Sequence, residues 1–232
     1  ETASFLEADF AALNPAFIRF SSGTTGTSKG VVLSHESLLE RITAANKGLQ
    51  ISPGDRVLWV LPMAHHFAVS IILYLYHGAT TVLKEQFFGE DLLAVGRQHE
   101  VTVMYGSPLH YRQLASAGTD SRPWPKLRLA VSTAAALDTE TARKFEARFQ
   151  VPLTQGLGII EVGLPMLNLQ QASSTPDHIG PPQVDFEAKL DEPDEGGVGQ
   201  LCLRGPGMFD AYLDPWQSRS EVLDEADWFH TG

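Results

Sequence analysis

The alternation of short apolar runs with longer amphipathic stretches is the strongest constraint on how this chain can fold. The candidate strands are rich in aliphatic and β-branched residues and lie at 17–20, 56–60, 80–83, 101–105 and 127–131. Candidate helices occupy 90–99 and 139–149, and a third follows Ser34. Because a crossover helix returns each strand parallel to the one before, this pattern predicts an α/β fold, a largely parallel βαβ sheet with flanking helices.

The helix after Ser34 carries the clearest periodic signal. Ser34 is a suitable N-cap, since its hydroxyl can accept from a free backbone N–H of the first turn. Apolar residues then recur at helical spacing, and we expect them to share one buried face. They are Leu38, Leu39, Ile42, Ala45 and Leu49.

The composition of the chain changes after Gln171, where serines, prolines and acidic residues in predicted turns become frequent. Alternating residues at 186–190 and 200–203 predict a smaller antiparallel sheet. We therefore expect residues 1–171 to form the α/β region and residues 172–232 a smaller β-rich subdomain. The latter ends without a clear terminator, so we expect it to be truncated at its C-terminus and the chain to be a piece of a longer one.

Composition excludes several classes of function. The 232 residues carry a formal net charge of -11, which argues against broad electrostatic binding of nucleic acid or anionic lipid. The single cysteine, Cys202, excludes an intramolecular disulfide, and its apolar neighbours predict burial. The longest apolar stretch, 67–76, is about half of the roughly 20 residues that a membrane span needs. No secretory signal is recognisable, so the sequence predicts a cytoplasmic protein without a membrane span.

A loop of glycines, hydroxyl residues and one lysine follows the 17–20 strand. It reads Ser21-Ser22-Gly23-Thr24-Thr25-Gly26-Thr27-Ser28-Lys29-Gly30 and leads into the apolar run 31–33. Glycines let backbone N–H groups approach an oxyanion, hydroxyls donate further hydrogen bonds, and Lys29 adds positive charge. The lysine does not have the spacing of the P-loop NTPases. The loop therefore indicates polyphosphate binding of another kind, and a flexible linker is the alternative.

The segment 20–30 resembles the phosphate-binding signature of the adenylate-forming (AMP-binding) superfamily, with Ser28 in place of the usual proline. This superfamily includes acyl-CoA synthetases, aryl-acid ligases and the adenylation domains of peptide synthetases. The chain is similar to the central part of its large N-terminal domain. The resemblance implies activation of a carboxylic acid by ATP and Mg²⁺ to an acyl-adenylate, with release of pyrophosphate. The acyl group would then pass to CoA or to the phosphopantetheine of a carrier protein.

The same resemblance implies an ATP-binding set. The loop residues would bind the phosphates, the small residues after 127–131 would form a floor for the adenine, and a Gly-Leu-Gly segment would cover the base. The set comprises Ser21, Ser22, Gly23, Thr24, Thr25, Gly26, Lys29, Ser132, Thr133, Ala134, Gly156, Leu157 and Gly158. Small residues between a strand and a helix are common, so the floor is weak evidence on its own.

The segment 61–67 resembles the family's acid-pocket motif, most nearly that of the aryl-acid ligases. It implies His65, His66, Phe67 and, from a later motif, Gln155 as contacts for the acid. His66 replaces the asparagine that would meet an ortho-hydroxyl group, so we expect an aliphatic or unsubstituted cyclic acid. A histidine pair taken alone is more often structural, and a metal site is a further alternative.

Glu161 lies in an apolar run that resembles the family's Tyr-Gly-x-Thr-Glu motif. Its carboxylate is the expected Mg²⁺ ligand, and with Lys29 it forms the expected catalytic pair. Leu157 and Ile160 replace the aromatic and hydroxyl residues of that motif. Those replacements keep a second hypothesis open, a catalytically incomplete fragment that binds nucleotide or carrier protein. A phosphotransferase or ATPase is disfavoured by the spacing of the loop.

Overall fold

The computed structural model describes residues 2–21, 29–84, 88–120 and 122–232. Side chains at 2–6, Ser21, His65, Ala68 and Val69 also lie outside the description. Backbone contacts divide the chain into two compact units. The first comprises Glu1–Ala45, Ile159–Pro165 and Pro182–Gly232, and the second Asn46–Gly158 and Met166–Pro181. This division does not follow the boundary near residue 171, which stays a prediction.

A six-stranded sheet, most of it in the second unit, confirms the predicted α/β class. Its spatial order is β4-β3-β5-β6-β7-β8, and the pairs from β4 to β7 are parallel. The strands are β3 (Arg56–Trp59), β4 (Thr80–Leu83), β5 (Val103–Gly106), β6 (Leu129–Ser132), β7 (Leu153–Ile159) and β8 (Gly163–Leu167). Every residue of the central strands β5 and β6 is buried, as parallel strands covered on both faces require, which explains their largely apolar sequences.

Eight α-helices occur in the described ranges, together with one π-helical segment, Phe67–Ile71. They are α1 (Thr2–Ala12), α2 (His35–Leu49), α3 (Met63–His66), α4 (Ile72–Tyr76), α5 (Gly89–Gln98), α6 (Pro108–Ser116), α7 (Thr139–Phe149) and α8 (Arg219–Val222). Helix α7 has the predicted bounds and begins after Asp138, which accepts from Thr141 N at 2.7 Å. No described helix has the length and apolar character that crossing a membrane demands.

Helix α2 begins as predicted, because Ser37 N donates to Ser34 Oγ at 3.0 Å. Four of the five apolar residues assigned to its inner face are buried: Leu38, Ile42, Ala45 and Leu49. The assignment of Leu39 was wrong, since this side chain is 47% exposed. Leu39 is one position from Leu38, and 3.6 residues per turn place it about 100° further round the axis.

The core of the second unit packs aromatic side chains against the sheet. Trp124, Tyr111, Phe145 and Phe149 are almost fully buried, and the rings of Phe145 and Phe149 stack at 4.3 Å between centroids. Trp124 lies over Gly96 so closely that an added Cβ would be 1.9 Å from the indole. A side chain at position 96 would therefore displace Trp124 from the core.

The first unit contains two further sheets. One has the order β1-β2-β11-β12, and the other is the predicted smaller antiparallel sheet, β13-β10-β9. The strands are β1 (Pro15–Ser21), β2 (Lys29–Ser34), β9 (Glu187–Asp191), β10 (Gln200–Arg204), β11 (Ala211–Tyr212), β12 (Gln217–Ser218) and β13 (Phe229–His230). The antiparallel pairing of β2 with β11 was not predicted, because β11 has only two residues.

Acid should weaken the second unit at Asp55, which is 4% exposed. Burial alone would raise the pKa of this carboxyl. Its bonds to Arg128, Thr102 and Ser52 outweigh burial and hold the pKa at about 2. Between about pH 4 and pH 2 the unfolded chain binds more protons than the folded chain, so stability falls as the pH falls.

Asp55→Asn tests this contribution of the Asp55 carboxylate to stability. It should lower the free energy of unfolding at neutral pH by about 2 kcal/mol and make the loss of stability between pH 4 and pH 2 measurably smaller. Urea unfolding across this pH range measures both effects. Asp177→Asn, at an exposed position, is the control. An Asp55→Asn variant that keeps the wild-type pH dependence would contradict the assignment.

Candidate functional site

Lys29 is the first described residue after the predicted phosphate loop. Residues 22–28, and with them the predicted contacts Ser22, Gly23, Thr24, Thr25 and Gly26, lie outside the described residues. The ends of the loop are defined, because β1 and β2 pair antiparallel with Ser21 opposite Lys29. The predicted loop therefore lies between two antiparallel strands, and the half-buried Lys29 is the first residue of the second strand.

Tyr212 of β11 lies beside both predicted catalytic residues. The Lys29 Nζ is 4.6 Å from the centroid of the Tyr212 ring, and the Tyr212 hydroxyl donates to Glu161 Oε1 at 3.1 Å. Burial, followed by the nearby Glu161 carboxylate, raises the pKa of Tyr212, so the phenol keeps its proton and remains a donor. The fold thus brings the predicted cation and the predicted metal ligand to one tyrosine.

Arg41 fixes the backbone around Glu161 through hydrogen bonds to carbonyl groups. This guanidinium is fully buried and donates to Ile160 O at 2.7 Å, to Glu161 O at 3.4 Å and twice to Gly207 O, at 2.7 and 2.9 Å. The Glu161 carbonyl also accepts from Phe209 N at 2.7 Å. The guanidinium group is planar and its N–H donors have a fixed geometry, so it can satisfy several carbonyl groups at once.

Gly207 allows this network to form. Its φ of +68° lies in the left-handed region. A Cβ at this position would be 2.4 Å from Arg41 N and 2.5 Å from Ser37 O. Both observations require glycine, because a side chain would be strained and would collide with the backbone of α2.

Sequence reasoning missed Arg41 and Tyr212. One signal was available for Arg41, which falls among the apolar-face positions of α2, directly before the buried Ile42. A charge on a buried face needs hydrogen-bond partners, so that placement indicates a specific role. For Tyr212 there was no comparable signal, since its position beside Lys29 results from the pairing of β11 with β2.

In the second unit, His66 joins an aromatic cluster at the end of β3. Its ring lies edge-on to Trp59, at 5.5 Å between centroids, and to Tyr105, at 6.3 Å. Trp59 and Tyr105 stack at 5.7 Å, and Phe67 begins the π-helical segment next to the cluster. Isolated π-turns inside helices often occur at functional sites, and the role of this cluster toward the acid stays a prediction. The side chain of His65 lies outside the description.

The predicted adenine floor follows β6. Ser132 is fully buried, and its Oγ has no hydrogen-bond partner among the described residues. Burial raises the pKa of Tyr105 to about 12, against a hydrogen bond to the Thr133 side chain that lowers it. Ala134 has a φ of +69°, which costs a residue with a Cβ about 1–2 kcal/mol. The turn is therefore sharp, and its small residues permit the backbone to be approached closely.

Gln155 supports this turn. Its side chain is 7% exposed, and its Oε1 accepts from Leu137 N at 2.9 Å. Among the neighbouring ATP-set residues of β7, Gly156 is buried, Leu157 is half-buried and Gly158 is exposed. The described contact of Gln155 is with the protein backbone, and its role toward the acid stays a prediction.

Comparison with known proteins identifies the family to which the chain belongs. The profile of the family described as "AMP-binding enzyme" matches residues 4–213. Similar proteins include 4-coumarate–CoA ligase 3 of Arabidopsis thaliana, 31% identical over 100% of this chain and 45% of its own length. Luciferin 4-monooxygenase of Photinus pyralis is 31% identical over 94% of this chain and 42% of its own.

A solved structure, apo MatB from Rhodopseudomonas palustris, matches with a TM-score of 0.81 and 23% identity. The match covers 94% of this chain and 44% of MatB, so it establishes the fold alone. The chain spans less than half the length of these relatives. Since the family profile covers most of the sequence, this chain belongs to the AMP-binding enzyme family.

Proposed function

We propose that this chain contributes the ATP-binding and acid-binding part of a ligase that activates a carboxylic acid as its acyl-adenylate. The observation that carries the proposal is the placement of Lys29 and Glu161 against Tyr212. A half-buried ammonium group next to a phosphate-binding loop and a carboxylate nearby are what a magnesium–triphosphate complex requires. Family membership supports the general reaction, adenylation of an acid followed by transfer to a thiol.

The chain's own groups fit ATP and Mg²⁺. Glu161 offers oxygen atoms of the kind that Mg²⁺ prefers, and Mg²⁺ would neutralise charge on the phosphates. Tyr212 and Arg41 orient Glu161 through its side chain and its backbone. Lys29 would attract the phosphates into position.

In the proposed reaction a carboxylate oxygen of the acid attacks the α-phosphorus of ATP. The bond from that phosphorus to the bridging oxygen breaks, and pyrophosphate leaves. The acid is already an anion at neutral pH, so no side chain has to act as a base, and catalysis consists of positioning and charge stabilisation. A thiol then replaces AMP on the acyl carbon. The relatives named as CoA ligases favour CoA over a carrier protein as the acceptor.

ATP–pyrophosphate exchange by the full-length ligase tests the function and the acid class together. We expect exchange to depend on an acid, and a hydrophobic acid to be activated better than salicylate or 2,3-dihydroxybenzoate. His66→Asn should reorder the preferences without abolishing exchange, because His66 contacts the aromatic rings of Trp59 and Tyr105, whereas the proposed catalytic pair is Lys29 and Glu161. A strong preference for a hydroxyaryl acid would overturn the proposed substrate class.

Leu157 and Ile160 favour a second candidate, a fragment that binds nucleotide without turning it over. Neither side chain can donate to a phosphate or stack as an aromatic ring. Calorimetric titration with ATP separates the two candidates. Binding of ATP without pyrophosphate exchange in the full-length protein supports the binding fragment, whereas acid-dependent exchange supports the ligase.

A further inference from the structure

Three side chains with different metal-binding atoms meet on the sheet β13-β10-β9 of the first unit. Asp191, Cys202 and His230 place a carboxylate oxygen, a sulfur and a ring nitrogen within 4.8 Å of one another. The His230 Nδ1 lies 3.4 Å from Cys202 Sγ and 3.8 Å from an Asp191 carboxylate oxygen. The proposed reaction uses none of these groups.

The register of the strands explains why these three side chains lie close together. Cys202 pairs directly with His230 across β10 and β13, and Gln200 pairs with Asp191 across β10 and β9. Because alternate residues share a face, Cys202 and Asp191 are diagonal neighbours on one side of the sheet. Three strands thus each supply one ligand atom to the same spot.

Asp224 orients the imidazole of His230. Its carboxylate lies 3.2 Å from His230 Nε2 and also accepts from Trp228 N and Ala226 N, both at 2.9 Å. When a proton on Nε2 donates to Asp224, the lone pair of Nδ1 faces Cys202 and Asp191, and the Gln200 side-chain oxygen, 3.3 Å from Nδ1, would have to turn away to admit an ion. A carboxylate behind a histidine in this way is the usual outer partner of a histidine that binds metal.

We propose that Asp191, Cys202 and His230 bind a divalent cation of the zinc class, with water as the fourth ligand. Thiolate, imidazole and carboxylate together suit zinc, and three protein ligands leave one position open. Bonds of about 2.3 Å to sulfur and 2.1 Å to nitrogen place tetrahedral ligand atoms roughly 3.5 Å apart. The two separations from His230 Nδ1, 3.4 and 3.8 Å, are close to that value, and all three ligand atoms lie within 4.8 Å of one another.

The cluster is accessible to an ion from solution. The side chains of His230 and Asp191 are 33% and 45% exposed, while Cys202 is fully buried beneath them. Binding would replace the thiol proton of Cys202, which passes to solvent. The neighbouring ammonium of Lys189 is engaged with Asp224, at 4.0 Å, and with the Trp228 ring, at 4.7 Å.

The bound ion would join three strands, of which β13 has only two residues. We therefore assign it a stabilising role on this sheet, independent of the proposed ligase reaction. Zinc should raise the thermal midpoint of the chain, because a ligand that binds only the folded state shifts the unfolding equilibrium.

Titration of the metal-free chain with Co²⁺ tests this site. A cobalt–thiolate bond gives a charge-transfer band in the near ultraviolet, and Cys202 is the only cysteine in the sequence. The band must therefore come from Cys202 and should disappear in Cys202→Ser. Zinc added afterwards should remove the band by displacing cobalt, since zinc binds such sites more tightly.

Variants of His230, Asp191 and Asp224 distinguish a three-ligand metal site from adventitious binding of cobalt to the Cys202 thiol alone. His230→Gln and Asp191→Asn should each weaken cobalt binding at least about tenfold, and Asp224→Asn roughly 10- to 100-fold. Asparagine at position 224 keeps an oxygen for the backbone bonds. His99→Gln, at an exposed position elsewhere, should leave binding unchanged.

Zinc-edge X-ray absorption of the unmodified chain needs no variant. We expect one sulfur at about 2.3 Å and the remaining nitrogen or oxygen ligands at about 2.0–2.1 Å. The proposal is overturned if cobalt gives no thiolate band, if the zinc spectrum contains no sulfur, or if His230→Gln and Asp191→Asn bind cobalt as the wild type does.

Discussion

Replacement of Lys29 by alanine is expected to lower ATP–pyrophosphate exchange roughly 10²- to 10³-fold while the fold stays intact. The reason is electrostatic. Charge that develops on the phosphates at the transition state would lose its contact with one fixed cation, and such contacts contribute about 2.7–4 kcal/mol. The Lys29 side chain is half-buried at the end of a hairpin and is not part of the apolar core, so its loss leaves packing in place.

The measurement is the exchange rate of the full-length ligase at saturating acid, with thermal unfolding recorded alongside. Lys144→Ala is a matched control, because Lys144 is an exposed helix residue that forms an ion pair with Glu140 one turn away. Lys29→Arg should retain part of the activity, since it keeps the charge but changes the geometry. Unchanged exchange in Lys29→Ala would refute the role of this lysine.

Arg41→Met is expected to have the largest effect on stability, a loss of about 3–5 kcal/mol in the free energy of unfolding. Burial lowers the pKa of Arg41 to about 10, against the opposing influence of Glu161 and Asp210. The side chain is therefore still charged at neutral pH. Methionine fills similar space, but it leaves the carbonyl groups of Ile160 and Gly207 buried without their donors.

Urea unfolding measures this loss, and Arg143→Met on the exposed face of α7 is the control, expected within about 0.5 kcal/mol of wild type. Arg41 also positions Glu161, so a second readout distinguishes that role from packing. Glu161→Gln should raise the Mg²⁺ concentration needed for exchange with little change in stability. An Arg41→Lys variant stable enough to assay should raise the same requirement. If its Mg²⁺ dependence matches the wild type, Arg41 serves stability alone.

Local signals explain why much of the fold could be predicted. Helix α7 has its cap at Asp138, and α2 has its cap at Ser34, so in both cases the start is encoded within one turn of the helix. The parallel strands are short apolar runs, and β4 was predicted with its observed bounds. Where only periodicity was used, as at Leu39, the orientation of a side chain was off by one position.

The loop and its lysine could be predicted as a phosphate site from sequence for the same reason, since their residues are contiguous. Arg41 and Tyr212 could not be placed in the site in this way. Arg41 and the carbonyl of Ile160 are 119 positions apart, and Tyr212 and Glu161 are 51 apart. No local pattern specifies such pairs, because they depend on which strands meet.

The amino-acid sequence by itself determined the α/β class and the family resemblance, and it predicted a phosphate-binding loop, because each rests on residues that are neighbours in the chain. Only the tertiary structure decided that Lys29 and Glu161 share Tyr212, and that Asp191, Cys202 and His230 meet on one sheet. The physical reason is strand pairing. β11 and β13 have two residues each and almost no sequence signal, yet their pairing with β2 and β10 brings distant side chains together.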